Sequence, residues 1–153
     1  MKLVFASDHA GFALREALAA HARTRGHDTW SVGAPDESSY DYPNAADLAA
    51  QALIDGTADR AVLVCGSGIG ISIRANRHPG VRAANCCSVI MARLARQHNH
   101  ANALSVGSRL VDESLAKAIL DAFLETNEDT EGRHVRRVEL LDGAVCDAAG
   151  ERC

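Results

Sequence analysis

No apolar run in this chain approaches the ~20 residues that a membrane span requires, and Met1-Lys2-Leu3-Val4-Phe5 reads as a first strand, too short for a signal peptide. A cytoplasmic location is the expectation. Cysteine is sparse and irregular: five residues, at 65, 86, 87, 146 and 153, make an odd set with no framework spacing and no CxxC pair. Disulfide stapling and a structural zinc site are therefore not expected. Positive charge is also lacking, since the net charge is −4, which argues against general nucleic-acid binding. Neither an internal repeat nor a low-complexity linker interrupts the sequence. With 47% hydrophobic and 24% charged residues over 153 positions, residues 1–153 read as one globular domain, large enough to bury a full core.

Lysine occurs only at Lys2 and Lys117, so nearly all of the 16 basic residues are arginine. Arginine grips phosphate with a planar fork of donors. An alanine- and arginine-rich composition also follows from coding bias, so position has to decide which arginines matter.

Against these absences stands Val62-Leu63-Val64-Cys65-Gly66-Ser67-Gly68-Ile69-Gly70-Ile71, an apolar strand running straight into a glycine-rich turn that opens a helix. Such a turn points backbone N–H groups outward, and the helix dipole adds partial positive charge. A cysteine beside a cluster of amide donors ionises more readily than a free one. Cys65 is thus a candidate base or nucleophile facing an anion site; the alternative is a small apolar residue closing a buried strand. Tight strand-to-helix turns need glycine with or without a ligand. A second signal comes from Leu3-Val4-Phe5-Ala6-Ser7-Asp8-His9-Ala10-Gly11, where another strand ends in titratable residues before a helix. In an open parallel sheet the carboxyl ends of the strands share one rim, where ligands bind. If the two strands are parallel neighbours, Asp8, His9, Cys65 and the glycine nest converge; taken alone, Asp8 could be a helix N-cap and His9 a surface residue.

Strands are predicted at Lys2–Ala6, Asp28–Val32, Arg60–Cys65, Val81–Asn85 and Ala103–Val106. Between them Leu14, Ala17, Leu18 and His21 mark one helical face, and Ala45, Leu48, Ala49 and Ala52 another. Met91, Leu94 and Ala95 suggest a fourth helix. Leu115, Ile119, Leu120 and Phe123 give the clearest amphipathic stripe, with Asp112 as its N-cap. This alternation predicts an α/β fold, a doubly wound (Rossmann-like) parallel sheet of five strands with helices on both faces. The longest loop, Gly33 to Pro43, carries Tyr40-Asp41-Tyr42-Pro43 to the second helix and either borders the site or is a plain connection with Pro43 in the first helical turn.

Two further segments carry polar chemistry: Arg96-Gln97-His98-Asn99-His100 closes the fourth helix, and Gly107-Ser108-Arg109 follows the fifth strand. His98 and His100 are spaced as a chelating pair, but no third ligand is evident and no metal site is expected. A helix-terminal histidine stabilised by the dipole and a titrating acid/base are the two readings for His98. Arg133 and Arg137, four apart after Gly132, share a face if that segment is helical.

In combination and in this order, Ser7-Asp8-His9-Ala10-Gly11, Asp41-Tyr42-Pro43, Cys65-Gly66-Ser67-Gly68-Ile69-Gly70, Arg96-Gln97-His98-Asn99, Gly107-Ser108-Arg109 and Gly132-Arg133 resemble the sugar-phosphate isomerases of the ribose-5-phosphate isomerase B type, with their allose-6-phosphate and galactose-6-phosphate relatives. The resemblance implies aldose–ketose interconversion through a cis-enediolate, without metal or organic cofactor. It assigns Cys65 to proton transfer between C1 and C2, and the amides of Gly66, Ser67, Gly68, Ile69 and Gly70 to the enediolate oxygens. His98 would open the furanose ring, with Ser67 and Asp8 assisting hydroxyl proton transfers. Phosphate ligands map to His9, Arg109, Arg133 and Arg137, and Tyr42 and Asn99 join the substrate site. The active site would be completed across a homodimer, or within a tetramer, by a second chain supplying groups that include His98; residues 128–153 would pack on that partner.

Two positions depart from the family pattern. Many members carry threonine where this chain has Ser67, which keeps the hydroxyl and loses a methyl. Another branch lacks the cysteine and uses glutamate at the position of Ile71; isoleucine accepts no proton, which favours Cys65. The competing class is a nucleotide-binding regulatory module. It fits poorly, because the glycine turn follows the third strand and lacks the G-x-G-x-x-G spacing. A thiol redox enzyme is weaker still, with no resolving cysteine near Cys65 in sequence. Ribose 5-phosphate is the leading substrate, with allose 6-phosphate, galactose 6-phosphate or a tetrose phosphate as alternatives, while the residues that measure sugar length, Cys146 and Cys153 are left without assignment.

Overall fold

A computed structural model describes residues 1–143; the expectations for Cys146, Cys153 and the end of the 128–153 segment fall outside the described residues. Five strands, β1 (Lys2–Ser7), β2 (Asp28–Gly33), β3 (Arg60–Cys65), β4 (Ala83–Asn85) and β5 (Ala103–Gly107), form one sheet in the order β2-β1-β3-β5-β4. Every pairing is parallel. β1, β3 and β5 are covered on both sides, which is why they read as unbroken apolar runs, whereas the edge strands β2 and β4 are only partly buried.

The helices are α1 (Phe12–Thr24), α2 (Tyr42–Ile54), α3 (Ile69–Ala75), α4 (Val89–Asn99), α5 (Glu113–Glu125) and α6 (Arg133–Asp142). Alternate strand residues divide the core. Leu3, Phe5, Val62, Val64, Leu104 and Val106 pack under α1, α4 and α5, with Leu18, Ile119, Leu120 and Phe123. Val4, Ala6, Leu63 and Cys65 face α2 and α3, through Ala45, Ala46, Ala49, Ala50 and Ile71. Each large side chain so buried contributes ~1.5–3 kcal/mol. From β1 the chain steps outward to β2, crosses to β3 on the other side of β1, runs to the far edge at β4 and returns to β5 between β3 and β4, so the crevice between the carboxyl ends of β1 and β3 is the topological switch point.

Local signals hold at several ends: Pro43 lies in the first turn of α2, and the Asp112 carboxylate accepts from Leu115 N at the start of α5. Three expectations need correction. β4 begins at Ala83, not Val81, because Val81 N donates to the His78 carbonyl in a turn. On α2 the inward face is Ala45, Ala46, Ala49 and Ala50, and Leu48 points to solvent. On α4 the inward face is Ala92, Ala95 and Arg96, which turns Met91 and Leu94 outward. Close helix-to-sheet packing selects the alanine stripe over the larger residue.

Candidate active site

β1 and β3 are parallel neighbours, with Ser7 opposite Val64, so their carboxyl ends meet. A cleft of ≈ 480 Å³ opens there, lined by Asp8, Tyr42, Cys65, Gly66, Ser67, Ile69, Gly70, Arg109 and Leu110. Cys65 is buried, and its Sγ accepts from the Gly68 amide at 3.2 Å. Gly68 has φ +75°, and a Cβ there would come within 2.4 Å of Asn85 Oδ1, so only glycine can turn this amide back onto the thiol. Its carbonyl accepts from the buried Ser105 hydroxyl at 2.7 Å, which fixes the turn from below. Ile69 N donates to Ser67 Oγ at 3.3 Å.

Asp8 caps the short 3₁₀ turn His9–Gly11 through Gly11 N at 2.9 Å, so the N-cap reading holds while the carboxylate still lines the cleft. His9 Nδ1 lies 3.2 Å from Tyr40 N and 3.3 Å from the Tyr40 carbonyl, so its ring is tied to the loop backbone. Hence the Gly33–Pro43 loop does border the site. Arg109 is placed by its own backbone: Ser108 N donates to the Cys65 carbonyl at 2.9 Å and Arg109 N to the Gly66 carbonyl at 3.1 Å. Its guanidinium then lies 3.2–3.3 Å from where a Cβ on Gly66 would stand. Tyr42 packs its ring against Gly70, whose Cβ would meet Cζ at 2.7 Å.

His98, Asn99, Arg133 and Arg137 do not join this cleft. α4 ends at Asn99 and enters the first residue of β5 at Ala103, so His98 sits at the amino edge of the sheet. Cys65 pairs with Gly107, the last residue of β5. Four strand residues at ~3.3 Å each separate the two levels by about 13 Å. At the amino edge His98 stacks on His134 of α6, the helix that also carries Arg133 and Arg137. Asn99 borders a larger hollow of ≈ 740 Å³ between α6 and residues 76–84, whose lining includes His78 and Asp142 but no cysteine. His100 takes a left-handed backbone (φ 48°) and turns its Nε2 to the Asp129 carbonyl at 2.8 Å, so it forms no chelating pair with His98.

The amino-edge groups are held by ion pairs. Arg96, almost wholly buried, bonds the Ala101 carbonyl and reaches Glu128 at 2.9 Å. Burial alone would raise the Glu128 carboxyl, but the Arg96 hydrogen bond and charge, with His100 and Arg60, hold it below its ordinary value. Cys86 lies on the opposite face of the sheet from Cys65, and burial, then the neighbouring Cys87 thiol, pushes it up to about 11. It stays a neutral thiol near neutral pH and is not placed to resolve an oxidised Cys65. Asn85, Ser105, Asp129 and His134 were not singled out from sequence. Only His134 had a signal, its place directly after Arg133 in the Gly132-Arg133 motif.

Fold and cleft together define a doubly wound α/β enzyme with a thiol at an amide-lined strand end. The profile of the ribose/galactose isomerase family matches residues 3–141, and the chain belongs to that family. It is 42% identical to ribose-5-phosphate isomerase B of Escherichia coli over 140 residues, covering 92% of this chain and 93% of that protein. A solved ribose-5-phosphate isomerase B from Clostridium thermocellum superposes with a TM-score of 0.91 at 40% identity, covering 93% of this chain and 95% of that one. The corresponding structure from Thermotoga maritima gives 0.89 at 44%, covering 92% and 97%. The chain is accordingly an aldose–ketose isomerase, which removes the nucleotide-binding module as a reading. No helix among the described residues is long and apolar enough to cross a membrane.

Proposed function

We propose that the chain interconverts ribose 5-phosphate and ribulose 5-phosphate, with Cys65 as the base that carries the proton between C1 and C2. The observation that carries this is the Cys65 thiol bonded to the Gly68 amide at 3.2 Å, at the head of an amide-lined turn in a cleft that also holds Asp8 and Arg109. A proton leaves C2 of the open-chain aldose to the thiolate, charge develops on the C1 and C2 oxygens, and the amides of residues 66–70 stabilise it as it forms. The proton then returns to C1, giving the ketose. Asp8 and Ser67 exchange the hydroxyl protons, while His9 and Arg109 receive the phosphate.

The working unit is a homodimer. The groups at the amino edge, namely His98, Asn99, Arg133 and Arg137, face away from their own chain's cleft and complete the cleft of a second copy, where His98 opens the furanose ring. Ile90, Met91 and Leu94 lie exposed on the outward side of α4, and Ile90 and Leu94 continue at helical spacing into His98. At the cleft, Ile69 and Leu110 are exposed in turn. Apolar surface thus flanks both halves and favours a protein partner over solvent.

Proton NMR of ribose 5-phosphate in D₂O tests the reading, with wild type and Cys65→Ala side by side. Wild type forms ribulose 5-phosphate and takes up deuterium at the carbon undergoing transfer, and Cys65→Ala, still folded, loses about 10²–10⁴ in rate. An inert wild type with activity on allose or galactose 6-phosphate would move the substrate assignment to a hexose. A fully active Cys65→Ala would remove the thiol as base.

A further inference from the structure

The imidazoles of His98 and His134 lie face to face, centroids 4.0 Å apart and planes within 3°. Asp129 completes the group: ligand atoms of the three residues all lie within 4.8 Å of one another, with Asp129 Oδ2 4.0 Å from His134 Nε2. Two histidines and a carboxylate are a metal-ligand set in kind, but this arrangement is not a coordination geometry. An imidazole lone pair lies in the plane of its ring, and two parallel rings one stacking distance apart aim their lone pairs along separate planes. A single ion cannot lie in both.

The stack instead fixes the plane of the His98 ring, and the residues behind it are anchored. Asp129 N donates to the Gln97 carbonyl at 3.1 Å, and the Asp129 carbonyl accepts from His100 Nε2 at 2.8 Å. The adjacent Glu128 pairs with buried Arg96. The segment bearing Asp129 is thereby tied to the last turn of α4, the turn that carries His98. Burial, then the charges of His98, Arg133 and Arg137, hold His134 below its ordinary value against the opposing pull of Asp129.

We propose that His134 is a positioning residue for ring opening, acting through His98 as the flat support that presents its ring, while the Asp129 backbone ties the neighbouring segment to the last turn of α4. This rests on His98 opening the furanose. In that step the C1 hydroxyl loses its proton to the Ser67/Asp8 side, the C1–O4 bond breaks to give the aldehyde, and O4 takes a proton from His98, so protons balance.

The substrate pair separates this role from general damage. Ribose 5-phosphate is mainly a closed furanose. Ribulose 5-phosphate is open-chain, because the hydroxyl that would close a five-membered ring on its carbonyl carries the phosphate. Turnover of ribose 5-phosphate and deuterium exchange at C1 of ribulose 5-phosphate are measured for wild type, His134→Ala and His134→Phe. His134→Ala loses about tenfold or more in kcat on ribose 5-phosphate while C1 exchange stays within about twofold, which also reports a folded, assembled enzyme. His134→Phe, which keeps a flat ring, recovers part of the loss. Equal losses in both reactions, or no loss in either, overturn the positioning role while leaving the isomerase standing. A wild type silent in both reactions overturns the isomerase reading and this one with it.

Discussion

The two ends of the sheet are built from different material. At the carboxyl rim the chemistry is set by backbone: the left-handed turn at Gly68, the amides beyond Cys65, and the carbonyls that pin Ser108 and Arg109. Side chains there are engaged within their own chain, Cys65 with Gly68, Asp8 with Gly11 and His9 with Tyr40. At the amino edge the groups are side chains on α4, α6 and the segment between α5 and α6, held by a ring stack and by the pairing of Glu128 with Arg96. A backbone cradle inherits its precision from the strands that flank it. A side-chain cluster on helix ends can instead be presented outward, to a cleft on another molecule.

The largest effect should come from asking whether the two ends belong to one site or two. Cys65→Ala and His98→Ala each inactivate, by about 10²–10⁴ on ribose 5-phosphate. Mixed in equal amounts and allowed to exchange subunits, they should recover about a quarter of wild-type activity, because half of the dimers then hold one site with both groups intact. No recovery despite proven exchange would place both groups in one chain's site. Next comes the cradle: Gly68→Ala drives a methyl against Asn85 and strains a positive φ, and should lower kcat by about 10²–10³. Stopped assays against a His98→Ala control would show whether the loss lies in proton transfer at carbon. C1 exchange into ribulose 5-phosphate should fall with Gly68→Ala and hold with His98→Ala.

The smallest effect concerns the amino edge alone. Glu128→Gln should cost about 1–2 kcal/mol at pH 7, the worth of a hydrogen bond to a charged group trimmed because the Glu128 side chain is 35% exposed. The Glu128 carboxyl lies below its ordinary 4.5 in the folded chain, so the folded state holds fewer of its protons than the unfolded state. Its contribution is therefore full above pH 4.5 and fades as pH falls through the lower, folded-state value. Urea midpoints of wild type and Glu128→Gln should differ at pH 7 and converge in acid; an unchanged gap would mean that the carboxylate charge is not what holds Arg96.

Much of this molecule is readable from its residues, for reasons that also mark where reading stops. β1, β3 and β5 declare themselves because burial on both faces demands unbroken apolar runs. The inward faces of α2 and α4 do not follow from hydrophobic periodicity, because what packs there is alanine, joined on α4 by buried Arg96, while Leu48, Met91 and Leu94 face outward. Motif order gathered Asp8, Cys65, the glycine turn and Arg109, since strand ends of a parallel sheet share a rim. Motif order alone does not separate His98 from them, because a residue just before a strand and one just after a strand look alike in sequence, yet lie on opposite edges; the family resemblance is what assigns His98 to a second chain. Asp129 is hidden in an acidic stretch, and His134, although it follows the Gly132-Arg133 motif, gains its meaning only from a ring stack that folding creates.

β5 has one more consequence. It is a five-residue rod with the thiol's level at one end and the histidine's at the other, and a paired strand in the middle of a sheet does not bend to close that gap. If each working site is assembled from two chains, the quantity that counts sites is pairs of molecules. Rate per chain should then depend on how much protein is present, falling on dilution as pairs separate, so that supply of the chain sets not only how many catalysts there are but what fraction of them are catalysts at all.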